Sequence, residues 1–484
     1  MLATIPRIMF VGPGSGSGKT TLTCAVLRAL QMMGHNPAAF KCGPDFIDPL
    51  FHSEVLGLPS CNLDSILCGE KVVSGLLAKN GQGHGLAIIE GVMGLYDGQG
   101  TSGNGSSNHL ALLTNTPEIL VISPRGQALT LAAEIFGYLH FAPNTLKGVV
   151  FNQCSARMYP FYRDIVAGQL KVYGHMPPLP EAAFPSRHLG LVTPAETEGM
   201  EDRLDALARA CMASVDLEGL VALGQEAAAL EYEPLELAPD MAPILVPELA
   251  PDLATEQGRA RRVVIAVARD RAFCFYYRDN FDVLQELGAT LAFFSPLEDE
   301  GLPEGSAGII LGGGYPEEFA VALAANTAMR LGIRQAVAGG MPVFAECGGF
   351  MYLCHSLQDR EGASHAMVGA VAAEARMGTG LGPFGYLGLT AQRDTFLGPC
   401  GTHYTAHEFH YSQTDDNGNA FMAHKAEGKS WPCIHASAPG AREKIFAGYP
   451  HFHLRGNPAL AGAFVAACRA WAAENAASCN GIDL

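Results

Sequence analysis

Short apolar runs alternate with longer helix-compatible stretches over the first half of the chain. The apolar runs are of strand length and lie at 7–13, 85–92, 118–124 and 146–154. Between them lie stretches such as 19–33 and 126–140, whose pattern suits a helix. Runs that are apolar at every position are typical of strands buried on both faces of a parallel sheet. The pattern therefore predicts a doubly wound α/β domain, which we place at residues 1–226.

The same alternation returns in the second half, after a break in composition. Strand-like runs lie at 261–270, 290–296, 307–314 and 341–346, with helix-like segments at 281–289 and 458–476. They predict a second doubly wound α/β domain over residues 261–476, followed by a short polar tail at 477–484. Residues 227–260 are acidic and proline-rich without a usable period, which predicts an interdomain linker. An irregular segment packed along one domain is the alternative.

Composition limits the kinds of partner and compartment. A chain of 484 residues is too long to fold around a single hydrophobic core of ordinary size. Its content of 48% hydrophobic and 16% charged residues is typical of a well-packed enzyme. The net charge of −17 argues against a nucleic-acid footprint or an anionic membrane surface as partner. No apolar run reaches about eighteen residues and no secretory signal is evident, so we expect a cytoplasmic protein without a membrane span. The 13 scattered cysteines indicate reduced thiols.

A glycine-rich segment, VGPGSGSGKTT at 11–21, joins the first predicted strand to the first predicted helix. In this context backbone N–H groups face phosphates, Lys19 can reach the β and γ oxygens, and the Thr20 hydroxyl can ligate Mg²⁺. Pro13 stands where the usual pattern has glycine, so the loop is one residue longer, as in dethiobiotin-synthetase-like P-loop proteins. The segment predicts binding of a nucleotide with Mg²⁺.

Carboxylates follow two of the strand-like runs of the first domain. Asp45 and Asp48 lie in KCGPDFIDP, Glu90 lies at the tip of an apolar run, and Asp97 follows seven residues later. Ligands of open α/β sheets bind at the carboxyl ends of the strands, so we expect these side chains beside the phosphate loop. For each residue alone, a turn or cap aspartate is the alternative.

Four segments of this half resemble the cobyrinate a,c-diamide synthase family: KCGPDFIDP, NLD at 62–64, EGVMGLYDG at 90–98 and SRHLGLVTPAE at 186–196. Members of that family amidate the a and c side-chain carboxylates of a corrin precursor of cobalamin, using glutamine and ATP. The resemblance implies ATP contacts from Gly16, Gly18, Lys19, Thr20, Thr21 and Asn152. It implies Mg²⁺ ligands from Thr20, Asp45 and Glu90, and a substrate-carboxylate site at Asp45, Asp48 and Asp97. Many relatives carry an aspartate where this chain has Ser123, so no role is assigned there.

The segment AECGGFMYL at 345–353 places Cys347 between a short apolar run and a helix-like segment at 350–357. A nucleophile on a sharp strand-to-helix turn is exposed, adjacent glycines permit a strained backbone, and a helix N-terminus favours the thiolate. A base is expected from His451 or His453 in GYPHFH, whose spacing would place both on one face of a strand. Gly313 and Gly314 in LGGGYPE, with Gly348, could supply oxyanion donors.

The second half resembles the class I glutamine amidotransferase domain in its cobyrinate-synthase form, through AVARDRAFCFYYRDN, LGGGYPE, AECGGFMYL and HEFHYS. By position in the motif, His451 is the preferred base and His453 the second choice. The usual glutamate two residues after the base is absent, because position 453 is histidine, so the orienting third group stays unidentified. His407 and His410 have a spacing that could suit a metal, but no partner set accompanies them, and a structural or substrate-facing role is preferred.

Together these features predict a ligase that releases ammonia from glutamine and uses ATP to form an acyl phosphate on a tetrapyrrole polycarboxylate. The expected substrates are ATP, L-glutamine and cobyrinate, and a homodimer is compatible with the sequence. The same chemistry on sirohydrochlorin, its nickel form or sirohaem is the first alternative. A partitioning-type switch ATPase is the second, although it would have no use for Cys347. A tetrapyrrole carrier with inactive sites is the third.

Overall fold

The computed structural model describes residues 1–182, 184, 186–187, 190–191, 199–235 and 262–479. It divides into two compact units, Met1–Leu235 and Glu236–Leu484. None of the helices in these described ranges is both long enough and apolar enough to cross a bilayer.

The first unit is an alternation of strands and helices. Its strands are β1 (Leu2–Ala3), β2 (Arg7–Val11), β3 (Pro37–Cys42), β4 (Ser60–Leu63), β5 (Leu86–Glu90), β6 (Glu118–Ile122), β7 (Leu146–Phe151), β8 (Lys171–His175), β9 (Ser186–Arg187), β10 (Gly190–Leu191) and β11 (Leu230–Glu231). Its helices are α1 (Lys19–Met32), α2 (Ile47–Leu50), α3 (Glu70–Gly81), α4 (Ser107–Leu113), α5 (Thr130–Phe141), α6 (Tyr159–Val166), α7 (Met200–Ser214) and α8 (Leu217–Gln225), with a π-helical turn at Phe51–Val55 and a 3₁₀ turn at Pro180–Ala182.

Seven of these strands form one parallel sheet in the order β4-β3-β5-β2-β6-β7-β8. The central strands are buried at every position, as their continuous apolar runs predicted. Because β5 lies between β3 and β2 and all three strands are parallel, the segments that follow them meet at one edge of the sheet. That edge carries the phosphate loop and the carboxylates described below.

The start of the predicted linker packs on the first unit. β11 pairs with β1, and the Arg7 guanidinium donates to the carbonyl oxygen of Ala228 at 2.8 Å. Leu230 is buried in the core of this unit. Residues 236–260 of the predicted linker, and 188–189 and 192–196 of the SRHLGLVTPAE segment, lie outside the described residues.

The second unit has more strands than the sequence suggested. Its strands are β12 (Val263–Ala268), β13 (Phe273–Phe275), β14 (Ala289–Phe294), β15 (Ser306–Leu311), β16 (Gly313–Gly314), β17 (Val343–Glu346), β18 (Ser356–Gln358), β19 (Ser364–Ala366), β20 (Glu374–Met377), β21 (Phe384–Ala391), β22 (His403–Phe409), β23 (Ser412–Thr414), β24 (Phe421–His424), β25 (Ser430–Cys433), β26 (His435–Ala436) and β27 (Ile445–Gly448). Its helices are α9 (Arg278–Glu286), α10 (Ala320–Ala325), α11 (Thr327–Ala338), α12 (Gly348–Leu353) and α13 (Pro458–Cys479).

The main sheet of this unit has the order β14-β12-β15-β17-β27-β26, and every pairing in it is parallel except β26 with β27. Two further four-stranded sheets, β19-β18-β20-β23 and β22-β21-β24-β25, are built from the segment between α12 and β27. The helix predicted at 350–357 ends at Leu353, because Cys354 is extended (ψ 169°) and Ser356 begins β18. The predicted parallel α/β core is confirmed, with these mainly antiparallel sheets added to it.

Candidate active sites

The phosphate loop spans the turn from the end of β2 to the start of α1. Gly16 and Gly18 have φ angles of 77° and 93°, a region that glycine enters without steric cost. A methyl group on Gly18 would also lie 1.8 Å from Nδ2 of Asn152. Thr20 and Thr21 occupy the first turn of α1, where backbone N–H groups without helical partners can bind an anion. The local structure is therefore that of a phosphate cradle.

Two predicted ATP contacts are held against this loop. The Lys19 ammonium donates to the carbonyl oxygens of Gly14 at 2.9 Å and Met93 at 2.8 Å, and burial lowers its pKa to about 8. Nδ2 of Asn152 donates to the carbonyl oxygen of Ser17 at 3.0 Å, so this residue braces the loop. Its Oδ1 is the atom suited to accept from a nucleobase amino group.

A buried lysine gathers the carboxylates beside the loop. The Lys41 ammonium donates to Oε1 of Glu90 at 3.0 Å and to Oδ2 of Asp48, and it lies 3.7 Å from Oδ2 of Asp45. The Thr20 hydroxyl donates to the same Glu90 oxygen at 2.6 Å. Three predicted carboxylates and the predicted metal-binding hydroxyl are thus brought together at the sheet edge.

Charge pairing sets the protonation of this cluster. Burial alone would raise the pKa of Glu90, but Lys41 and His52 hold it well below its usual range. Burial would likewise lower the pKa of Lys41, yet Asp48 and Glu90 raise it well above its ordinary value. The pKa of Asp48 is raised by burial and by the neighbouring carboxylates. The positive charge of Lys41 and the negative charge of the carboxylates therefore compensate each other, and a bound cation or phosphate would change this balance.

Two of the predicted aspartates also make the local contacts that the alternative interpretation offered. Oδ1 of Asp45 accepts from the N–H groups of Ile47 and Asp48, at the start of α2. Oδ2 of Asp97 accepts from the N–H of Gly94 at 2.9 Å, in the loop after β5. The carboxylate of Asp45 still lies 3.7 Å from the Lys41 ammonium, so its local contacts do not remove it from this edge.

The oxygen donors at this edge are of the kind that Mg²⁺ prefers, although Asp45, Asp48 and Glu90 surround the Lys41 ammonium and form no three-carboxylate metal site among the described residues. Thr20 at the start of α1 and Glu90 at the end of β5 supply hard oxygen donors. Oε2 of Glu90 lies 3.4 Å from Nε2 of His52 and accepts no hydrogen bond among the described residues. Sequence reasoning missed Lys41 and His52 here, and also Asn62, whose Nδ2 donates to the carbonyl oxygens of Gly43 and Asp45. Lys41 and Asn62 are the first residues of KCGPDFIDP and NLD, two motifs that carried the family resemblance without a role for either residue.

The nucleophile turn in the second unit is strained as expected. Cys347 has φ 47° and ψ −103°, between the end of β17 and the start of α12, and its N–H donates to the carbonyl oxygen of Gly448 at 2.8 Å. A methyl group on Gly349 would lie 2.1 Å from the carbonyl oxygen of Leu311, so the turn requires glycine there. The strand-to-helix geometry therefore matches a nucleophile elbow.

The expectation that this position favours the thiolate is wrong for the structure as it stands. Burial raises the pKa of the Cys347 thiol well above its ordinary value, and the charges of Glu317, Glu408 and Glu346 raise it further. The helix that begins at Gly348 has only six residues, so its dipole is short. Attack by this thiol consequently needs a base that removes its proton.

The predicted oxyanion glycines and one histidine meet at this turn. Gly313 and Gly314 form β16, which pairs with β13. A methyl group on Gly348 would lie 3.1 Å from the backbone nitrogen of Gly314. A methyl group on Gly313 would lie 2.5 Å from Cε1 and 3.4 Å from Nε2 of His451. The Nε2 edge of His451 therefore faces the glycine turn.

The two candidate bases lie beyond the end of β27, not on one face of a strand as predicted. The backbone of His451 pairs with His407 through bonds of 2.8 and 3.0 Å. The ring of His453 instead packs beside Tyr277, with ring centroids 5.1 Å apart, and burial lowers its pKa to about 4. The geometry brings His451, and not His453, to the glycine turn.

Residues of the YYRDN motif hold the loop that carries His451. The Asn280 amide donates to the carbonyl oxygen of Phe452 at 2.8 Å and accepts from the N–H of Leu454 at 2.7 Å. The Arg455 guanidinium is buried and donates to both carboxylate oxygens of Asp279 at 2.6 and 2.9 Å. This motif contributed to the family resemblance of the sequence. In the structure, its side chains clamp the loop that carries His451 through these hydrogen bonds.

Glu346 also contacts this loop, and sequence reasoning missed it. Its Oε1 accepts from the N–H of Phe452 at 2.9 Å, and its Oε2 lies 3.6 Å from Nδ1 of His451. The only signal in the sequence was a carboxylate directly before Cys347 in an otherwise apolar strand.

His407 and His410 take different environments. Burial lowers the pKa of His407 to about 3. The His410 ring stacks on Tyr449 with centroids 3.7 Å apart, and its ring nitrogens lie 3.0 Å from Oε1 of Glu408 and 2.7 Å from the carbonyl oxygen of Ser412. Within the described part of the chain, no group of three or more His, Cys, Asp or Glu side chains is placed to hold a metal ion.

Two known domain families match the two halves of the chain. Residues 8–191 match the CobQ/CobB/MinD/ParA nucleotide binding domain, and residues 264–459 match the CobB/CobQ-like glutamine amidotransferase domain. The predicted pairing of a P-loop domain with a class I amidotransferase domain is confirmed by these matches.

Curated relatives named cobyrinate a,c-diamide synthase are similar over most of the chain. The protein from Caldanaerobacter subterraneus subsp. tengcongensis is 37% identical over 88% of this chain and 91% of its own length. The protein from Syntrophotalea carbinolica is 36% identical over 96% of this chain and 99% of its own. That from Listeria monocytogenes serotype 4b is 36% identical over 93% of this chain and 97% of its own. The chain therefore belongs to the cobyrinate a,c-diamide synthase family.

Proposed function

We propose that this chain amidates the a and c side-chain carboxylates of cobyrinate, using ATP and ammonia released from glutamine. The observation that carries the proposal is the presence of two complementary sites on one chain. One is a phosphate loop beside a buried lysine–carboxylate cluster, and the other is a strained cysteine turn facing a histidine. The names of the curated relatives support the choice of cobyrinate as substrate.

In the second unit, the thiol of Cys347 would attack the side-chain amide carbon of glutamine. Nε2 of His451 would take the thiol proton and return it to the departing ammonia. The N–H groups around Gly314 and Gly348 would donate to the oxyanion that forms. Water would then hydrolyse the thioester, releasing glutamate. His453 is set aside as base because its ring packs beside Tyr277.

In the first unit, a carboxylate of cobyrinate would attack the γ-phosphorus of ATP, with ADP as leaving group. Ammonia would then attack the acyl carbon and expel phosphate, because an acyl phosphate is a much better electrophile than a carboxylate. Lys19 and the N–H groups from Gly16 to Thr21 would hold the phosphates, and Asn152 would contact the base. Lys41, with Asp45, Asp48 and Asp97, would fix the reacting carboxylate and phosphate in line.

Thr20 and Glu90, with Asp45 nearby, would hold Mg²⁺, which supplies charge neutralisation for phosphoryl transfer when it is bound. The charges of these residues suit that role, since Glu90 is held ionised by Lys41 and His52. A cytoplasmic location fits a ligase that consumes ATP and glutamine. A homodimer stays a prediction that size-exclusion chromatography with light scattering can test.

The alternatives lack a supporting observation. The relatives from Caldanaerobacter subterraneus and Syntrophotalea carbinolica, which cover most of the chain, are named for cobyrinate. A partitioning-type switch ATPase would leave the amidotransferase match over 264–459 without a purpose. A carrier with inactive sites would leave both residue sets unexplained.

The test compares two nitrogen sources. Wild-type protein with ATP, Mg²⁺ and cobyrinate should form the diamide with either glutamine or ammonium chloride. Cys347→Ser should lose glutamine-dependent amidation while it keeps ammonium-dependent amidation, as measured by mass spectrometry of the corrinoid and by ADP release. Absence of cobyrinate-stimulated ADP formation in the wild type would overturn the substrate, and loss of both activities in Cys347→Ser would overturn the two-site scheme.

A further inference from the structure

The glutamine site still needs a group that orients its base, and we propose that Glu346 is this positioning residue. The proposal rests on the proposed function, because it concerns how His451 would act on Cys347. The usual position for an orienting carboxylate, two residues after the base, holds His453. In this chain the carboxylate would come from the residue directly before the nucleophile.

The ring of His451 has two polar edges that face different groups. Its Nδ1 lies 3.6 Å from Oε2 of Glu346, and its Nε2 edge faces Gly313. A distance of 3.6 Å is an ion-pair distance and too long for a hydrogen bond, but catalytic hydrogen bonds often shorten only when substrate binds. Glu346 would therefore favour the tautomer with hydrogen on Nδ1, in which Nε2 is the nitrogen that accepts the thiol proton.

The second oxygen of the same carboxylate fixes the backbone of this loop. Oε1 of Glu346 accepts from the N–H of Phe452 at 2.9 Å, and both side chains are buried. Because Phe452 follows His451 directly, this hydrogen bond fixes the backbone position from which the His451 side chain extends. One carboxylate thus controls both the position of the loop and the orientation of the ring.

The strand end carries the nucleophile and its orienting group together. Glu346 is the last residue of β17 and Cys347 is the strained residue that follows, with its N–H bonded to Gly448 at the end of β27. Burial raises the pKa of the Cys347 thiol, and the charge of Glu346 adds to this effect. A thiol held protonated has more need of a correctly oriented base than a preformed thiolate would have.

Another buried carboxylate near the thiol is engaged elsewhere. Oε1 of Glu408 lies 3.0 Å from Nε2 of His410, whose other ring nitrogen faces the carbonyl oxygen of Ser412 at 2.7 Å. Glu408 also affects the charge environment of Cys347. Glu408→Gln therefore serves as a control, because it removes a negative charge that affects Cys347 but keeps the contact between Glu346 and His451.

The test is Glu346→Gln, which keeps an oxygen for the N–H of Phe452 but replaces the carboxylate that faces Nδ1. We expect kcat for glutamine hydrolysis to fall by about 10²-fold or more with KM changed less than about threefold, because the amide can enforce the wrong tautomer. Glu346→Asp should recover part of kcat. In ¹⁵N spectra of histidine-labelled protein, the His451 signals, assigned with His451→Gln, should shift from the Nδ1–H to the Nε2–H tautomer.

Several outcomes would overturn the proposal. If Glu346→Gln keeps kcat within about threefold of wild type, the carboxylate only holds the N–H of Phe452. If Glu408→Gln and not Glu346→Gln lowers kcat, the orienting group is Glu408. Thermal melting of both variants checks their folding, and Glu346→Asp provides the measurement if Glu346→Gln does not fold. A wild type without glutaminase activity that depends on Cys347 would instead refute the proposed function, which keeps the two failures distinct.

Discussion

Lys41 and Glu90 form a buried ion pair at the carboxyl edge of the first sheet, with the ammonium 3.0 Å from Oε1 of the carboxylate. The same oxygen accepts the hydroxyl of Thr20 at the start of α1. The pair therefore links the sheet edge to the phosphate loop. In the proposed reaction, it is placed to stabilise both the bound cation and the charge on the phosphoryl group.

Lys41→Met should abolish ATP-dependent amidation and destabilise the first unit by about 3 kcal/mol. The reason is that removing one member of a buried ion pair leaves Glu90 and Asp48 without compensation. Differential scanning calorimetry and ADP release with ammonium chloride as nitrogen source measure the two effects. Glutaminase activity should persist, because Cys347 and His451 lie in the other unit.

Lys71→Met is the matched control for this charge removal. Lys71 pairs with Glu233 at 2.8 Å, but both side chains are exposed (77% and 63%), so solvent screens the pair. We expect little change in melting temperature or activity. Equal effects of the two substitutions would contradict the assignment of Lys41 to the site.

The parallel sheets, the phosphate loop and the nucleophile turn could be predicted because each depends on residues that are close together in the sequence. Uninterrupted apolar runs indicated buried strands, and glycines beside Lys19 and Cys347 indicated the turns that follow them. The chemistry of such turns depends on a few adjacent residues. Local sequence patterns therefore predicted most of the architecture and the turn residues of each site.

The remaining contacts join residues distant in sequence, and no local pattern records them. Glu346 meets Phe452 across 106 positions, and Asn280 meets Phe452 across 172. The strands between α12 and β27 were missed for another reason: many are only two to four residues long, and such short segments show no clear period. The thiolate expectation for Cys347 failed because burial outweighed a short helix dipole.

Gly313→Ala should impair glutamine hydrolysis without unfolding the second unit. Its methyl group would lie 2.5 Å from Cε1 of His451, and the imidazole would have to move. A displacement of about 1 Å in a catalytic group can cost about 10²-fold in rate, so we expect kcat to fall by that order. Steady-state glutaminase assays measure it, and ammonium-dependent amidation should be unchanged.

Gly332→Ala is the matched glycine control in the same unit. This helical position has no atom within 4 Å of the added methyl group, and alanine favours a helix over glycine by about 0.5–1 kcal/mol. Activity should match wild type, with melting temperature equal or slightly higher. A loss of glutaminase activity here, or none in Gly313→Ala, would argue against the placement of His451 at the glycine turn.

Asn280→Ala should loosen the loop that carries His451. It removes a donor to the carbonyl oxygen of Phe452 and an acceptor for the N–H of Leu454, both buried, for a cost of about 2 kcal/mol. We expect a lower melting temperature and reduced kcat for glutamine, measured by calorimetry and a glutaminase assay. Asn280→Asp keeps only the acceptor, so it should also be impaired. Full activity of both variants would show that the clamp does not position the base.

Glu118 should make the stability of the first unit depend on pH. Its carboxylate is buried at the start of β6, Thr145 donates to Oε2 from both its N–H and its hydroxyl, and burial raises its pKa to about 7. Because the folded-state pKa lies above the unfolded value of 4.5, the folded protein binds the extra proton. Its contribution is fully present below the unfolded pKa and is lost as pH rises through about 7.

Glu118→Gln removes this titration and keeps an oxygen for Thr145. The variant should therefore be more stable than wild type at pH 8.5, by an amount on the order of 2 kcal/mol, and the difference should shrink as the pH falls towards 5. Denaturant unfolding at the two pH values measures it. Glu218→Gln, at an exposed position in α8, sets the baseline for the substitution itself. An equal difference between Glu118→Gln and wild type at both pH values would mean that Glu118 does not hold a proton in the folded protein, and that Thr145 stabilises the ionised carboxylate.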